Sequence, residues 1–294
     1  MTKYLKLIRV EQWVKNMFVF VPLFFSGGIN NIDLLIKSII AFVVFSLAAS
    51  MIYILNDYND IESDRKHPEK RKRPLASGAV HKSNALIILF GLLIANVAII
   101  FTSQYFFQQN LWKFAFIIGF YVVMNLAYTF KLKHIPIIDI FIIATGFVLR
   151  VLAGGYITGI YISQWAILLT FVLALVLAIG KRRGELINAA VSGKTRKALD
   201  GYNVQFADIA LSISVTLAIV CYLMFTLSPE VQGRFHQGVF YTVVFVVFAF
   251  LRYLQQTLVY NRTESPTKIV YKDRYIQSTL LLWVVSFLIL IYFK

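Results

Sequence analysis

The chain has 294 residues, of which 59% are hydrophobic and only 15% charged, and its mean hydropathy is +0.72. No soluble core of this size requires so apolar a composition, which excludes a water-soluble globular protein and indicates one built into a membrane. The formal net charge of +15 would suit nucleic acid, but the Lys and Arg residues sort by membrane side instead of forming one basic face, which argues against that partner.

Apolar runs near the roughly 20 residues needed to cross a bilayer recur along the sequence. They predict nine spans, at about 17–30, 34–55, 84–102, 111–128, 136–157, 163–180, 206–227, 236–255 and 275–293. With no long hydrophilic stretch between them, residues 1–294 read as a single transmembrane domain. In the first span Pro22 interrupts the run and Gly27-Gly28 end it, leaving a kinked or partly re-entrant segment open. No small-residue cleavage site follows it, so it does not have the form of a signal peptide. Of the 29 Lys and Arg residues, 23 fall before the first span and in alternate loops, whereas the opposite side holds only Lys37, Lys113, Arg234 and Lys294. The positive-inside rule then puts the N-terminus in the cytoplasm and the C-terminus outside, in a multi-pass protein of the plasma (inner) membrane. The lone Cys221 sits mid-span and reads as packing.

Three regions carry polar residues that solvated loops do not need. The first, NDYNDIESDRKHPEKRKRPLASG (56–78), begins on the last turn of the second span. At about 100° per residue, Asp60 lies about 60° and Asp64 about 20° from Asp57, so the three carboxylates share one helix face. Carboxylates so close repel one another unless a cation sits among them, and oxygen ligands suit Mg²⁺ completed by substrate phosphates. Asn56 adds a neutral oxygen. Lys70, Arg71 and Arg73, with Arg65, Lys66 and Lys72, supply charge for phosphate groups or anchor the loop at anionic lipid. The second region is YTFKLKH (128–134) with Asp139 and Arg150, which lie about 20° apart in azimuth and about 16 Å in rise. An Arg inside a span faces the protein interior, so Arg150 is either an ion-pair member or a ligand for a buried phosphate. His134 reads as a loop or interface residue. The third region, GKRRGE (180–185), closes the sixth span, and Lys194, Arg196, Lys197 and Tyr202 follow it. Gln12, Trp13, Lys15 and Asn16 before the first span, and Lys272, Asp273 and Arg274 before the last, add to the same face. There Trp13 suits an interfacial belt, and Asp273 suits either a local ion pair or a contact to a bound polar group.

NDYNDIESD at the end of the second of nine spans resembles the first aspartate motif of the UbiA prenyltransferase superfamily. The resemblance covers essentially the whole chain. It implies an all-α, polytopic UbiA-type bundle in which Asp57, Asp60 and Asp64 bind a diphosphate through Mg²⁺. Members of the superfamily carry a second motif of D-x-x-x-D type, but here the residue four after Asp139 is Ile143. The blocks RVEQWVKN with VPLFF, DRKHPEKRKRPLASG, LKH with GFVLRVLAGG, GKRRGEL with KTRKAL, and KDRYIQ resemble the decaprenyl-phosphate phosphoribosyltransferase branch. That branch moves 5-phosphoribose from phosphoribosyl diphosphate to a polyprenyl phosphate.

The resemblance implies catalytic roles for Asp57, Asp60, Asp64 and Asp139. Lys15, Asn16, Lys70, Arg71, Arg73, Lys131, Lys181 and Arg182 become candidates for handling phosphates. Tyr128 and Glu185 become candidates for the ribose hydroxyls, and Asn56, Arg150, Asp273 and Arg274 for other substrate contacts. The acceptor phosphate is already ionised, so no strong general base is needed. The implied partners are the two substrates and the lipid bilayer; self-association into a homo-oligomer is left open. Two other readings stay open. One is a UbiA-type enzyme moving a prenyl group from prenyl diphosphate to an aromatic or other acceptor. The other is a transporter of a phosphorylated solute, although the halves show no repeat and the charges lie at helix ends.

Overall fold

A computed structural model describes residues 2–192, 197–234, 237–261, 269 and 272–292. All secondary structure among them is helical. The α-helices are α1 (Thr2–Leu7), α2 (Val21–Ser26), α3 (Ile32–Asn59), α4 (Ile61–Arg65), α5 (Lys82–Phe107), α6 (Trp112–Phe130), α7 (Ile138–Thr158), α8 (Gln164–Ser192), α9 (Val204–Leu227), α10 (Pro229–Arg234), α11 (Val243–Leu254) and α12 (Arg274–Tyr292). Among the described residues, eight helices are long and apolar enough to cross a membrane: α3, α5, α6, α7, α8, α9, the stretch Gln237–Val259 built around α11, and α12. The protein is thus a multi-pass membrane protein. Large apolar side chains such as Ile87, Ile94, Phe101 and Phe116 are well exposed, as expected where the solvent is hydrocarbon.

The segment expected to form the first of nine spans is not among the eight. Val10–Phe20 is a 3₁₀ helix, α2 continues it with Pro22 in its first turn, and Gly27 ends it in the left-handed region at φ 71°. Runs of 3₁₀ helix longer than three or four residues are uncommon. Here the buried Asn16 amide donates to Ser46 Oγ at 2.9 Å and the Trp13 indole donates to Ser50 Oγ at 3.1 Å, fixing this stretch to α3. Because a 3₁₀ turn is stretched, its 11 residues and the 6 of α2 together rise about 31 Å, close to the hydrocarbon thickness of a bilayer. The sixth predicted span departs in the other direction. α8 runs on through the basic region to Ser192, so GKRRGE is helical and not the edge of a loop.

Two compact units divide the chain: Met1–Lys131 with Leu149–Tyr161, and Leu132–Val148 with Ile162–Lys294. In the first, α3 contributes a buried face rich in small residues, including Ser38, Ala41, Ser46, Ala48, Ala49 and Ser50. Small side chains let helices approach closely where no hydrophobic effect drives them together. Phe45, Phe114 and Tyr121 fill the remaining space. Gly154 extends this logic to the 3₁₀ segment, since a Cβ there would stand 2.0 Å from the Val19 carbonyl oxygen. In the second unit, Ile140, Val176, Ile179, Leu211, Val215, Tyr253 and Ile276 form the core.

Gly154→Ala should therefore destabilise the protein by about 1–3 kcal/mol, the usual cost of forcing extra volume into a packed interior. Thermal unfolding in detergent micelles checks this. Gly119→Ala, inside α6 where an added Cβ meets nothing within 4 Å, should not lower the midpoint and should raise it slightly through the helix preference of Ala over Gly.

Candidate active site

α3 ends at Asn59, and Asp60 stands between it and α4 with φ −97° and ψ 9°. The three aspartates therefore do not line one uninterrupted helix face as expected. Asn and Asp side chains compete for backbone hydrogen bonds and weaken helix continuity, and here the Ser63 hydroxyl also donates to the Asp60 carbonyl at 2.9 Å. Asp57 and Asp64, about 20° apart in the ideal register, still converge. Both are almost fully buried, at 1% and 2% exposure. Asp60 is half-buried, within 3.3 Å of the Asn59 amide.

One guanidinium joins the two buried carboxylates: Arg73 Nη1 donates to Asp57 Oδ1 at 3.1 Å and to Asp64 Oδ2 at 2.7 Å. A second, from Arg9, also donates to Asp57 Oδ1 and lies over the Tyr53 ring at 4.9 Å. Two cations thus crowd one carboxylate oxygen, while Asp57 Oδ2 is buried without a hydrogen-bond donor. In the sequence Arg9 opens the RVEQWVKN block and counts among the basic residues before the first predicted span, with no role of its own there. Nothing local marks it, because its partner lies 48 residues away. Asn56 accepts from the Thr129 hydroxyl, which ties α3 to α6. Among the described residues, no three Asp, Glu, His or Cys side chains gather closely enough to hold a metal ion by themselves. The donor set still fits a hard divalent cation. It is all oxygen and offers the buried Asp57 Oδ2, and Mg²⁺ commonly takes only one or two carboxylates with substrate phosphates completing its shell.

Elsewhere in the same unit Arg150, 6% exposed, donates from Nε to Asn16 Oδ1 at 2.8 Å. Its guanidinium lies over the rings of Phe45 and Tyr121, at 4.7 and 5.3 Å. An amide dipole and two aromatic faces thus help to support this intramembrane charge. Lys15, Lys70, Arg71 and Lys131 are exposed and Tyr128 is half-buried.

In the second unit Asp139 is completely buried. Arg182 Nε donates to its Oδ2 at 2.8 Å, and the Tyr202 hydroxyl donates to its Oδ1 at 2.8 Å. Arg182 also pairs with Glu185 at 2.5 Å, while Lys181 is exposed. Burial pushes the Tyr202 phenol well above its ordinary range; the Ile137 N–H, donating at 2.6 Å, works against that rise and the Asp139 carboxylate adds to it. Tyr202 therefore stays protonated and keeps its proton on Asp139. Ile137 itself has φ 68°, a genuine outlier for a β-branched residue, so this junction is strained and locked by Tyr202. Close packing of the same turn shows at Gly201, where a Cβ would meet the Pro136 ring at 2.3 Å. Arg183, missed as a separate feature, turns away from Arg182 to pair with Asp208 and donate to the Thr257 carbonyl. Asp273 is not paired with its neighbours Lys272 and Arg274. It accepts from Arg252 and Gln256 and caps α12 through the Ile276 N–H at 3.0 Å. Burial alone would raise its carboxyl, but these hydrogen bonds and the Arg252 charge hold it below the usual range. Arg274 is exposed; Lys194 and Arg196 lie outside the described residues.

Residues 17–283 match the model of the UbiA prenyltransferase family. The chain belongs to that family. It is 36% identical to the decaprenyl-phosphate phosphoribosyltransferase of Mycolicibacterium smegmatis, covering 99% of this chain and 92% of the relative. The enzyme of the same name from Corynebacterium glutamicum is 34% identical, over 98% and 86%. Among solved structures, a UbiA homologue from Archaeoglobus fulgidus, determined with DMAPP and Mg²⁺, superposes with a TM-score of 0.70 at 18% identity, over 97% of this chain and 99% of that one. The family fold expected from NDYNDIESD is thus the fold observed, although the first predicted span is not among the eight described helices long and apolar enough to cross a membrane.

The Arg182–Asp139 pair of this UbiA chain should behave as a buried structural pair. Arg182→Gln, which strands a fully buried carboxylate, should cost about 3–5 kcal/mol, whereas Lys181→Gln on the exposed side of the helix should stay within about 0.5 kcal/mol. Thermal midpoints of the two variants, measured side by side, decide this.

Proposed function

We propose that this UbiA-family chain transfers the 5-phosphoribosyl group of phosphoribosyl diphosphate to a polyprenyl phosphate such as decaprenyl phosphate, releasing diphosphate, on the cytoplasmic face of the plasma membrane. The observation that carries the reading is the imbalance between acid and base. Asp57 and Asp64 form one buried acidic pair beside Arg9 and Arg73. The residue where a second aspartate motif would continue is Ile143, and Asp139 is already engaged by Arg182 and Tyr202. A donor and acceptor that bring three anionic groups between them, a 5-phosphate, a diphosphate and a lipid phosphate, call for more cations and fewer carboxylates than a prenyl diphosphate donor. Full-length relatives named for this activity, at 34–36% identity, support the same choice.

In this reading the C1–oxygen bond to the diphosphate breaks as an oxygen of the lipid phosphate bonds to C1. Asp57 and Asp64 would hold Mg²⁺, with Asp60 of the same motif as the further candidate ligand, and the ion when bound would supply positive charge to the departing diphosphate. Arg73 reaches both carboxylates and stands ready to pair with the same group. The acceptor is a phosphate anion at neutral pH, so no side chain has to remove a proton. That is consistent with a reaction driven by positioning and charge. Lys15, Asn16, Lys70, Arg71, Lys131, Arg150, Lys181 and Arg274 are assigned to phosphate and lipid-headgroup contacts. Tyr128 and Glu185 are assigned to the ribose hydroxyls, and Asp139, Arg182 and Asp273 hold their surroundings in place.

Purified protein given labelled phosphoribosyl diphosphate, decaprenyl phosphate and Mg²⁺ should yield an acid-labile, lipid-linked ribose phosphate. Asp57→Asn should lower that turnover by roughly 100-fold or more, since even outer-shell partners of a metal cost 10–100-fold. Product formation from a prenyl diphosphate and an aromatic acceptor, with none from phosphoribosyl diphosphate, would overturn the assignment in favour of prenyl transfer.

A further inference from the structure

Arg9 is committed to the aspartate site at some conformational expense. Its backbone lies in the left-handed region, at φ 52° and ψ 53°, between α1 and the 3₁₀ segment. A bulky residue rarely adopts that conformation unless its surroundings impose it. The consequence is that its guanidinium reaches Asp57 Oδ1, the oxygen that Arg73 also holds. Two guanidinium groups on one carboxylate oxygen repel each other, and only the carboxylates keep them together.

The charges of Asp57, Asp64, Arg9 and Arg73 cancel. A divalent cation arriving alone would have to displace guanidinium groups from Asp57 or add two positive charges to a site whose carboxylates are 1% and 2% exposed. Uncompensated charge in such a place is costly. A cation arriving with a diphosphate meets neither penalty, because the displaced guanidinium groups pair with the diphosphate oxygens while the cation takes the carboxylates. Asp57 Oδ2, buried and lacking a donor, is the oxygen left to receive it. With no third Asp, Glu, His or Cys side chain gathered beside this pair among the described residues, diphosphate oxygens and water are left to complete the cation's shell.

We infer that Arg9 and Arg73 are built-in counter-ions that hold the Asp57–Asp64 site against a free divalent cation and yield it only to one that arrives with a diphosphate. This rests on the metal-diphosphate reading of the site, and gives Arg9 a defined part in it.

Mn²⁺ binding to the full-length protein in detergent, followed by water-proton relaxation with and without inorganic diphosphate, tests the inference without turnover. The wild type should bind Mn²⁺ weakly alone and about tenfold or more tightly with diphosphate, within the usual range of coupling between two ligands. Arg9→Gln should tighten binding of Mn²⁺ alone several-fold and shrink the coupling by the same factor, while Arg9→Lys, which keeps the charge, should stay near the wild type. Should Arg9→Gln not fold, Arg73→Gln carries the same expectation. Wild-type affinity for Mn²⁺ at Asp57 that ignores diphosphate would overturn the inference, as would Arg9→Gln binding Mn²⁺ alone no better than the wild type. Failure of the underlying reading looks different: with diphosphate present, Asp57→Asn would then bind Mn²⁺ as well as the wild type.

Discussion

Two carboxylates buried to within a few per cent of complete exclusion lie against two guanidinium groups, and the local structure of the first unit follows from where those cations come from. Arg73 reaches Asp57 and Asp64 from the stretch after α4 and fixes the basic loop to the end of α3. Arg9 reaches Asp57 from before the 3₁₀ segment and fixes the opposite flank. The interaction therefore folds three separate stretches of chain around one oxygen atom, Asp57 Oδ1. Removing either partner of such a group strands the other, which is why these contacts are structural and chemical at once.

The second unit applies the same rule to different ends. Asp139 is as deeply buried as Asp57, but its two oxygens are taken by Arg182 and by a tyrosine that remains protonated. Asp273 is likewise occupied, by Arg252, Gln256 and the start of α12. These contacts give Asp139 and Asp273 the work of holding arginines and helix ends. The buried Asp57 Oδ2, by contrast, is an acceptor with nothing donating to it. That contrast separates a carboxylate suited to a cation from carboxylates that organise the frame.

Long apolar runs were legible from the sequence because a bilayer imposes length and composition on each span independently. The pairing of Asp57 with Asp64 was also legible, since seven residues nearly complete two helical turns. Arg150 was legible as an inward-facing charge for the reason that membranes exclude any other placement. Its supports, Asn16 and the rings of Phe45 and Tyr121, were not. Arg9 was invisible because its role depends on a contact across 48 residues and on a left-handed backbone that no local pattern announces. The 3₁₀ course of the first predicted span was hidden for a related reason, as hydropathy cannot distinguish a stretched helix from an α-helix of equal apolarity. The interruption at Asp60 depended on how Asn, Asp and Ser side chains compete with the backbone, a local effect that an ideal helical wheel ignores. The extension of α8 to Ser192 was masked by its charges, which read as a membrane edge although Arg182 and Arg183 are buried in ion pairs.

In the proposed mechanism the Asp57–Asp64 pair exchanges its arginines for a cation carrying a diphosphate. Anomalous diffraction from crystals grown with Mn²⁺ and phosphoribosyl diphosphate tests it directly. The account predicts an anomalous peak between Asp57 and the diphosphate, with Arg9 and Arg73 moved from Asp57 onto diphosphate oxygens. A peak at other residues, or Arg9 and Arg73 still seated on Asp57 with the diphosphate bound, would contradict it.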